Sequence, residues 1–176
     1  MPFTPFHMGP GCAVKAVLGR HFSLTVFGFA QVAMDLETLA RILRHDSVIH
    51  GYSHTYLGAA AIGVISLFLG RPLCQRLLNW WTAGAAGSGS QFVKWLAGPW
   101  TISLPAAISG AFIGTFSHVL LDSFMHRDMQ PFQPFAAGNE LLYLISIGPL
   151  HFYCMLAGLL GLAALLGLKS WHRGDE

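Results

Sequence analysis

Charged residues are scarce in this chain of 176 residues, in which lysine, arginine, aspartate and glutamate together make up only 10%. Soluble domains usually carry roughly a quarter charged residues. Because 53% of the residues are hydrophobic, much of the folded surface is expected to face lipid rather than water. The formal net charge is only +2, and no basic stripe alternates with aromatic residues, so nucleic acid is excluded as a partner.

Cysteine is also rare, and its three positions (Cys12, Cys74 and Cys154) lie far apart in or beside apolar stretches. An odd number at such wide spacing predicts neither a disulfide framework nor a zinc knuckle, so we interpret the cysteines as small core residues. The first seven residues, Met-Pro-Phe-Thr-Pro-Phe-His, lack the basic region and cleavage site of a secretory signal peptide. We therefore expect internal apolar helices to direct membrane insertion.

Long apolar runs are the main feature that is present. Three stretches, residues 55–70, 102–124 and 141–168, approach the ~20 apolar residues that cross a ~30 Å hydrocarbon layer. Small residues recur in them and allow membrane helices to pack closely. The sequence thus predicts an all-α, multi-pass helical membrane bundle that forms a single domain and contacts membrane lipids. Residues 71–98, which are rich in glycine, serine and interfacial aromatics, are predicted to be a flexible loop.

The N-terminal 35 residues contain a further apolar stretch with Lys15 and Arg20 in its middle. A charged pair at the centre of a bilayer is costly. We therefore predict a helical hairpin over residues 1–35 instead of a fourth span, with helices at 9–18 and 23–34. Ser23 is the expected N-cap of the second helix.

This hairpin has a consequence for the polar residues at its two ends. Each helix is only about 15–18 Å long at ~1.5 Å per residue, and the chain returns to the side where it began. His7 and Asp35 are therefore expected to lie at the same end of the bundle. Residues 36–54 are predicted to form a loop or helix that belongs to the same site.

Basic residues indicate an orientation. Arg71, Arg76 and Lys94 follow the first span without any acidic residue, and Lys169 and Arg173 follow the third. Short loops that are rich in lysine and arginine stay in the cytoplasm. The opposite span ends, which carry most of the histidines, are then expected on the outer face of a bacterial inner membrane.

Histidine is abundant for so apolar a chain, with nine residues. His50 and His54 are four residues apart, and His118, Asp122 and His126 continue the same spacing, which aligns each set on one helix face. Imidazole and carboxylate together suit zinc, manganese or iron. Alternatively, such side chains could satisfy one another by hydrogen bonds or extend to the interface. Ionisable groups in a span are costly unless paired, and their number here favours a metal site.

Four segments carry a resemblance to a known family. Residues 114–123 read Gly-Thr-Phe-Ser-His-Val-Leu-Leu-Asp-Ser and contain the pattern Ser-His-x-x-x-Asp. The chain also begins Met-Pro-Phe-Thr with an early His7, has Asp-Leu-Glu at 35–37, and has Gly-Tyr-Ser-His-Thr at 51–55. In this order, the segments resemble the YdjM-like inner-membrane-associated metal-dependent hydrolases of bacteria. The pattern is more distantly similar to that of zinc-dependent phospholipases C.

The resemblance implies a ligand set for a divalent metal, with zinc expected first and manganese or iron as alternatives. The implied metal ligands are His7, Asp35, His54, His118 and Asp122. In the implied reaction, Asp35 or Glu37 takes a proton from water and His126 protonates the leaving group. His50 and Arg127 would lie around the metal or contact a substrate phosphate.

Three functions remain open on these residues. The first is hydrolysis of an ester or phosphoester, because a metal in such a site lowers the pKa of bound water toward ~7; a site at the membrane face favours an amphiphilic phosphoester. The second is a non-catalytic membrane protein that binds metal structurally or regulates a partner. The third is a cation carrier, which would place ionisable groups near the midplane of several spans. In this sequence they gather at span ends.

Overall fold

The computed structural model describes residues 5–98 and 100–174, and all regular structure in these ranges is helical. A π-helical segment, Ser66–Gly70, joins the third and fourth α-helices into one continuous helix, and short 3₁₀ turns lie at Pro5–His7, Gly19–His21 and Tyr52–His54. The α-helices are α1 (Met8–Leu18), α2 (Leu24–Leu43), α3 (Tyr56–Ile65), α4 (Arg71–Ala86), α5 (Gln91–Leu96), α6 (Leu104–Met125) and α7 (Ile147–Gly174).

Three of the helices are long and apolar enough to cross a membrane: Tyr56–Ala86, Leu104–Met125 and Ile147–Leu168. This confirms the predicted all-helical architecture with three long apolar helices and a shorter N-terminal one. The third helix begins at Ile147 rather than near residue 141, because residues 140–143 form turns and residues 144–145 a bend. Most of its side chains are exposed, as expected for a helix that contacts lipid.

The predicted flexible loop over residues 71–98 is wrong for most of its length, because α4 and α5 occupy Arg71–Ala86 and Gln91–Leu96. Pro72 lies in the first turn of α4, where it would ordinarily interrupt a continuous helix, since proline lacks an N–H and its ring clashes with the preceding helical turn. The π-helical segment resolves this conflict: its wider turn lets the N–H of Arg71 bond to the carbonyl of Ser66. The helix therefore continues through the proline.

The N-terminal hairpin is present, and its second helix is longer than predicted. Ser23 caps α2, as expected, by accepting a hydrogen bond from the N–H of Val26 at 3.3 Å. Lys15 Nζ donates to the carbonyls of Gly19 (2.8 Å) and Phe22 (2.7 Å), so its charge binds the turn between the helices. However, α2 does not end near residue 34 but continues to Leu43, because residues 36–43 keep forming helical hydrogen bonds.

The helices α2 and α6 run side by side in the same direction, and glycine allows their close approach. A Cβ at Gly110 would lie 2.5 Å from the carbonyl oxygen of Ser23, and a Cβ at Gly114 would lie 3.0 Å from the Cβ of Ala30. The side chain of Gln31, on α2, also donates a hydrogen bond to the carbonyl of Gly114, on α6, at 3.0 Å. This register brings Asp35, one turn later, level with His118.

The helix α7 packs on α1, again through small residues. A Cβ at Gly158 would lie 3.0 Å from Gly9 Cα, and a Cβ at Gly161 would lie 2.5 Å from the carbonyl carbon of Cys12. The two helix backbones are therefore almost in contact. This packing holds α1 in place, and with it the turn just before α1 that carries His7.

Candidate metal centre

A cluster of imidazoles and carboxylates lies where α1 and α3 begin and α6 approaches its end. All but one of its members are buried, and His126, with 24% of its side chain exposed, lies at the mouth. The members are His7, Asp35, His50, His54, His118, Asp122 and His126.

Local structure explains how distant segments supply these residues. His118 and Asp122 occupy successive turns of α6, and Asp35 faces them from α2. His54 ends the 3₁₀ turn before α3, whose N-cap Thr55 accepts a hydrogen bond from the N–H of Gly58 at 2.9 Å. His7 ends the 3₁₀ turn that leads directly into α1.

Asp122 is the centre of the cluster, and its two oxygens face different imidazoles. Oδ2 lies 3.3 Å from His118 Nε2 and 3.4 Å from His54 Nε2. Oδ1 lies 3.4 Å from His7 Nε2 and 3.7 Å from His126 Nε2. Four imidazoles thus point their Nε2 atoms at one carboxylate.

Asp35 supplies the second buried carboxylate. Its Oδ1 lies 3.5 Å from His118 Nε2 and 3.9 Å from His54 Nε2. His54 and His118 therefore each face both aspartates. Separations of 3.3–3.9 Å exceed the usual 2.7–3.2 Å of an N–H···O hydrogen bond. They are close to the distance of about 3.3 Å between two ligand atoms that bind the same zinc ion tetrahedrally at ~2.0–2.1 Å.

The Nε2 atoms of His7, His54 and His118 are buried and make no hydrogen bond. A buried polar atom without a partner costs about 1–3 kcal/mol, and such atoms are rare in folded proteins. Mutual hydrogen bonding, which the sequence left open as an alternative, does not satisfy these three nitrogens. A shared cation would satisfy all of them.

The other ring nitrogen of His118 fixes its tautomer. Gln31 Nε2 donates to the carbonyl of Gly114, which turns Gln31 Oε1 toward His118 Nδ1 at 2.6 Å. Because an amide oxygen only accepts, Nδ1 carries a proton, and in the neutral ring the lone pair of Nε2 then points into the cluster. This is the form in which imidazole binds a metal.

His50 is oriented by Asp128 in the same way. Asp128 Oδ2 accepts from the backbone N–H groups of Ile49 and His50, both at 3.0 Å, and Oδ1 lies 2.8 Å from His50 Nδ1. Burial raises the pKa of Asp128, but hydrogen bonds from His50 and Ile49 outweigh this effect and lower the pKa to about 2. A carboxylate at this position holds the proton on Nδ1, which leaves His50 Nε2 directed at Asp122, 4.0 Å away.

Burial also keeps His7 in the neutral form that ligates metal. Its desolvation lowers the pKa to about 4, even though the charges of Asp122 and Asp35 oppose this shift. Burial likewise lowers the pKa of His54. Both rings are therefore neutral near pH 7, and their lone pairs are available.

The structure brings together all five residues that the family resemblance implies as metal ligands, and it adds His50 and His126 to the same cluster. Glu37 lies outside it. Its Oε1 accepts from Arg41 Nε at 2.8 Å and its Oε2 accepts from the Ser53 N–H at 2.7 Å. Burial raises the pKa of Glu37, but these hydrogen bonds lower it by more than burial raises it. The pKa of Glu37 is therefore below its ordinary value. Glu37 thus anchors the turn that presents His54.

Arg127 also lies apart from the buried cluster. Its Nε donates to Tyr143 Oη at 3.3 Å, and its guanidinium lies over the same ring, 5.7 Å from the centroid. This contact joins the end of α6 to the loop before α7.

Sequence reasoning missed three residues that orient the histidines: Gln31, Ser53 and Asp128. Ser53 Oγ lies 2.9 Å from His54 Nδ1. The sequence contains a hint of two of them. Gln31 is an isolated amide one helical turn before Asp35, and Asp128 lies two residues after His126. Nothing in their spacing, however, indicates which histidine each one contacts.

Comparisons of the chain with protein-family models, with curated proteins and with solved structures found no match. The chemistry of this centre is therefore inferred from its own residues and their geometry.

Proposed function

We propose that this chain is a membrane-bound, zinc-dependent hydrolase that acts on an ester or phosphoester of an amphiphilic molecule. The observation that carries the proposal is the set of three buried Nε2 atoms that make no hydrogen bond and face two buried carboxylates at the spacing of zinc ligands. The resemblance of four sequence segments to the YdjM-like hydrolases supports the same class of activity.

The charge of the cluster also favours a divalent cation. With neutral imidazoles, Asp35 and Asp122 together carry a charge of −2, and both are buried. Uncompensated buried charges cost several kcal/mol each. One divalent ion neutralises this pair, and the mixture of imidazole nitrogen and carboxylate oxygen is typical of zinc.

The roles of the side chains follow from their positions. A bound zinc ion lowers the pKa of coordinated water toward ~7 and polarises a phosphoryl or carbonyl oxygen. Asp35 accepts the proton of the attacking water, since both oxygens of Glu37 are bound to Arg41 and Ser53. His126, at the mouth, donates a proton to the leaving group.

Aromatic side chains around the mouth support an amphiphilic substrate. Tyr52, Phe132 and Tyr143 are exposed on segments that adjoin the site. The loop that carries Phe132 is held against α3 by a 2.8 Å hydrogen bond from the Tyr56 N–H to the carbonyl of Pro131. Exposed aromatics of this kind are typical of membrane interfaces.

A polar recess of about 220 Å³ lies beside His50. It is lined by Arg41, Val48, His50, Gly51, Tyr52, Thr55, Asp128, Gln130 and Gln133. A polar head group fits this recess while the apolar part of the substrate stays among the exposed aromatics. The distribution of basic residues supports a location of this face on the outer side of a bacterial inner membrane.

Zinc-dependent hydrolysis is the first test. The protein, purified in detergent and loaded with zinc, is expected to hydrolyse p-nitrophenyl phosphate or phosphatidate in mixed micelles. Removal of zinc with a chelator abolishes the activity, and zinc restores it. A zinc-loaded protein that cleaves none of a panel of phosphoesters and carboxyl esters would instead be a non-catalytic metal-binding protein.

Gln31→Leu tests the orientation of His118. The substitution removes the acceptor for His118 Nδ1, and loss of such an indirect partner is expected to weaken zinc binding about 10- to 100-fold. Competition with a chromophoric zinc indicator measures the change. Gln91→Leu, at an exposed position at the start of α5, is the matched control. Equal affinities in the two variants would contradict this role of Gln31.

A further inference from the structure

A groove of about 570 Å³ lies between the π-helical segment with the first turn of α4 and the start of α6. We propose that this groove binds one anionic phospholipid of the bilayer, whose phosphate contacts Arg71 and one of whose acyl chains lies along the apolar walls. The volume is within the ~300–1,000 Å³ of typical ligand pockets. The groove is separate from the metal centre, since Leu104 precedes His118 by roughly 21 Å along α6 at ~1.5 Å per residue.

The walls of the groove are apolar and belong to two helices that are long enough to cross a membrane. Leu67 and Phe68 line it from the π-helical segment, and Leu104 and Ile108, one helical turn apart, line it from α6. Phe68, Leu104 and Ile108 are exposed. A lipid-facing groove between two spans therefore offers a hydrocarbon chain continuous apolar contact.

One end of the groove is polar, and two hydrogen bonds fix its level along α6. Arg71 Nε donates to the carbonyl of Ile102 at 3.1 Å, and Gln75 Oε1 accepts from the Ile102 N–H at 2.7 Å. Arg71 is therefore level with the residue that lies just before α6. Because the 22 residues of α6 extend over about 33 Å and the hydrocarbon layer is ~30 Å thick, this level corresponds to the lipid head groups.

The guanidinium of Arg71 can bind a phosphate at this level. Arginine has five N–H donors, and the bond to Ile102 uses only the one on Nε. In the part of the chain that the structure describes, no ion pair or further hydrogen bond occupies the two terminal amino groups of Arg71. Two parallel N–H donors of arginine match a phosphate in the bidentate manner.

The surrounding charge selects an anionic lipid. No aspartate or glutamate occurs between Asp46 and Asp122, whereas Arg71, Arg76 and Lys94 all lie in this stretch. A zwitterionic head group would bring its own cation to these basic residues without a carboxylate to receive it. Basic pockets between membrane helices are typical binding sites for anionic head groups, and each basic residue near the surface strengthens such binding.

Competition between two lipids tests the proposal. The protein in detergent is mixed with equal amounts of phosphatidylglycerol and phosphatidylcholine that have identical acyl chains, and native mass spectrometry counts the lipids retained by each chain. One phosphatidylglycerol is expected to predominate. Arg71→Gln should weaken its binding about five-fold, the effect of one lost cation, whereas Arg76→Gln, an exposed arginine of the same helix, is the matched control and should bind as the wild type does.

A second variant tests the apolar half of the groove without altering Arg71. Ile108→Trp fills the space between the walls and is expected to reduce phosphatidylglycerol retention at least as much as Arg71→Gln does. Leu160→Trp makes a similar change on the exposed face of α7 and should leave retention unchanged. Circular dichroism shows that each variant keeps its helices.

Three results would overturn the proposal. Equal retention of the two lipids would refute the choice of an anionic head group. Equal losses in Arg71→Gln and Arg76→Gln would indicate a general attraction to the basic end instead of a site. Wild-type retention in both Arg71→Gln and Ile108→Trp would show that the groove is not where the lipid binds. Zinc content should stay at the wild-type value in all four variants, so failure of this proposal leaves the proposed hydrolase function intact.

Discussion

His118→Ala is expected to remove bound zinc from the protein and reduce hydrolysis to the background rate. The Nε2 of His118 lies within 3.5 Å of both Asp35 and Asp122, so its loss deprives both carboxylates of one of the two imidazoles that they share. Loss of an indirect partner already weakens metal binding about 10- to 100-fold, and loss of a ligand that contacts both aspartates should exceed that range. The effect is therefore visible as an absence of metal after gel filtration.

The control for this variant is His21→Ala, which makes the same chemical change at an exposed turn. Metal content is measured by mass spectrometry and helical content by circular dichroism. His118→Gln fills a similar space with a polar side chain and covers the case in which the alanine variant loses its helical structure. Wild-type zinc content in a folded His118 variant would refute the ligand assignment.

Gly161→Ala is expected to lower the thermal stability of the protein, whereas Gly167→Ala, six residues later in the same helix, should not. A Cβ at Gly161 would lie 2.5 Å from the carbonyl carbon of Cys12 and 2.8 Å from Ala13 Cα. These are backbone atoms that cannot rotate away, so α7 must move from α1. Overpacking of this kind typically costs about 1–3 kcal/mol in the free energy of unfolding.

At Gly167 the added methyl group meets open space, and alanine is intrinsically a better helix former than glycine by about 1 kcal/mol. Thermal unfolding in detergent, followed by circular dichroism, should therefore separate the two variants in opposite directions from the wild type. Zinc affinity should also fall in Gly161→Ala, because α7 holds the helix that follows His7. Identical unfolding temperatures would show that the contact between α1 and α7 contributes little.

The sequence by itself determined the features that depend on residues close together in the chain. The i, i+4 spacing of His118, Asp122 and His126 follows from helical geometry once α6 is recognised as an apolar helix. The cap at Ser23 and the hairpin turn at Gly19, whose φ is 51°, depend on the residues just beside them. The length and apolar character of the three long helices likewise come from local composition.

Only the tertiary structure decided which faces meet. The contacts of Gln31 with His118 and of Asp128 with His50 join residues 87 and 78 positions apart, and no spacing rule relates them. The same holds for Glu37, whose carboxylate faces Arg41 and Ser53 instead of the nearby cluster. It holds also for the continuation of α3 into α4 through a π-helical turn, which a proline made improbable on local grounds. The contact of Gln31 with His118, for example, depends on the close approach of α2 to α6, which Gly110 and Gly114 permit because they place no side chain between the backbones.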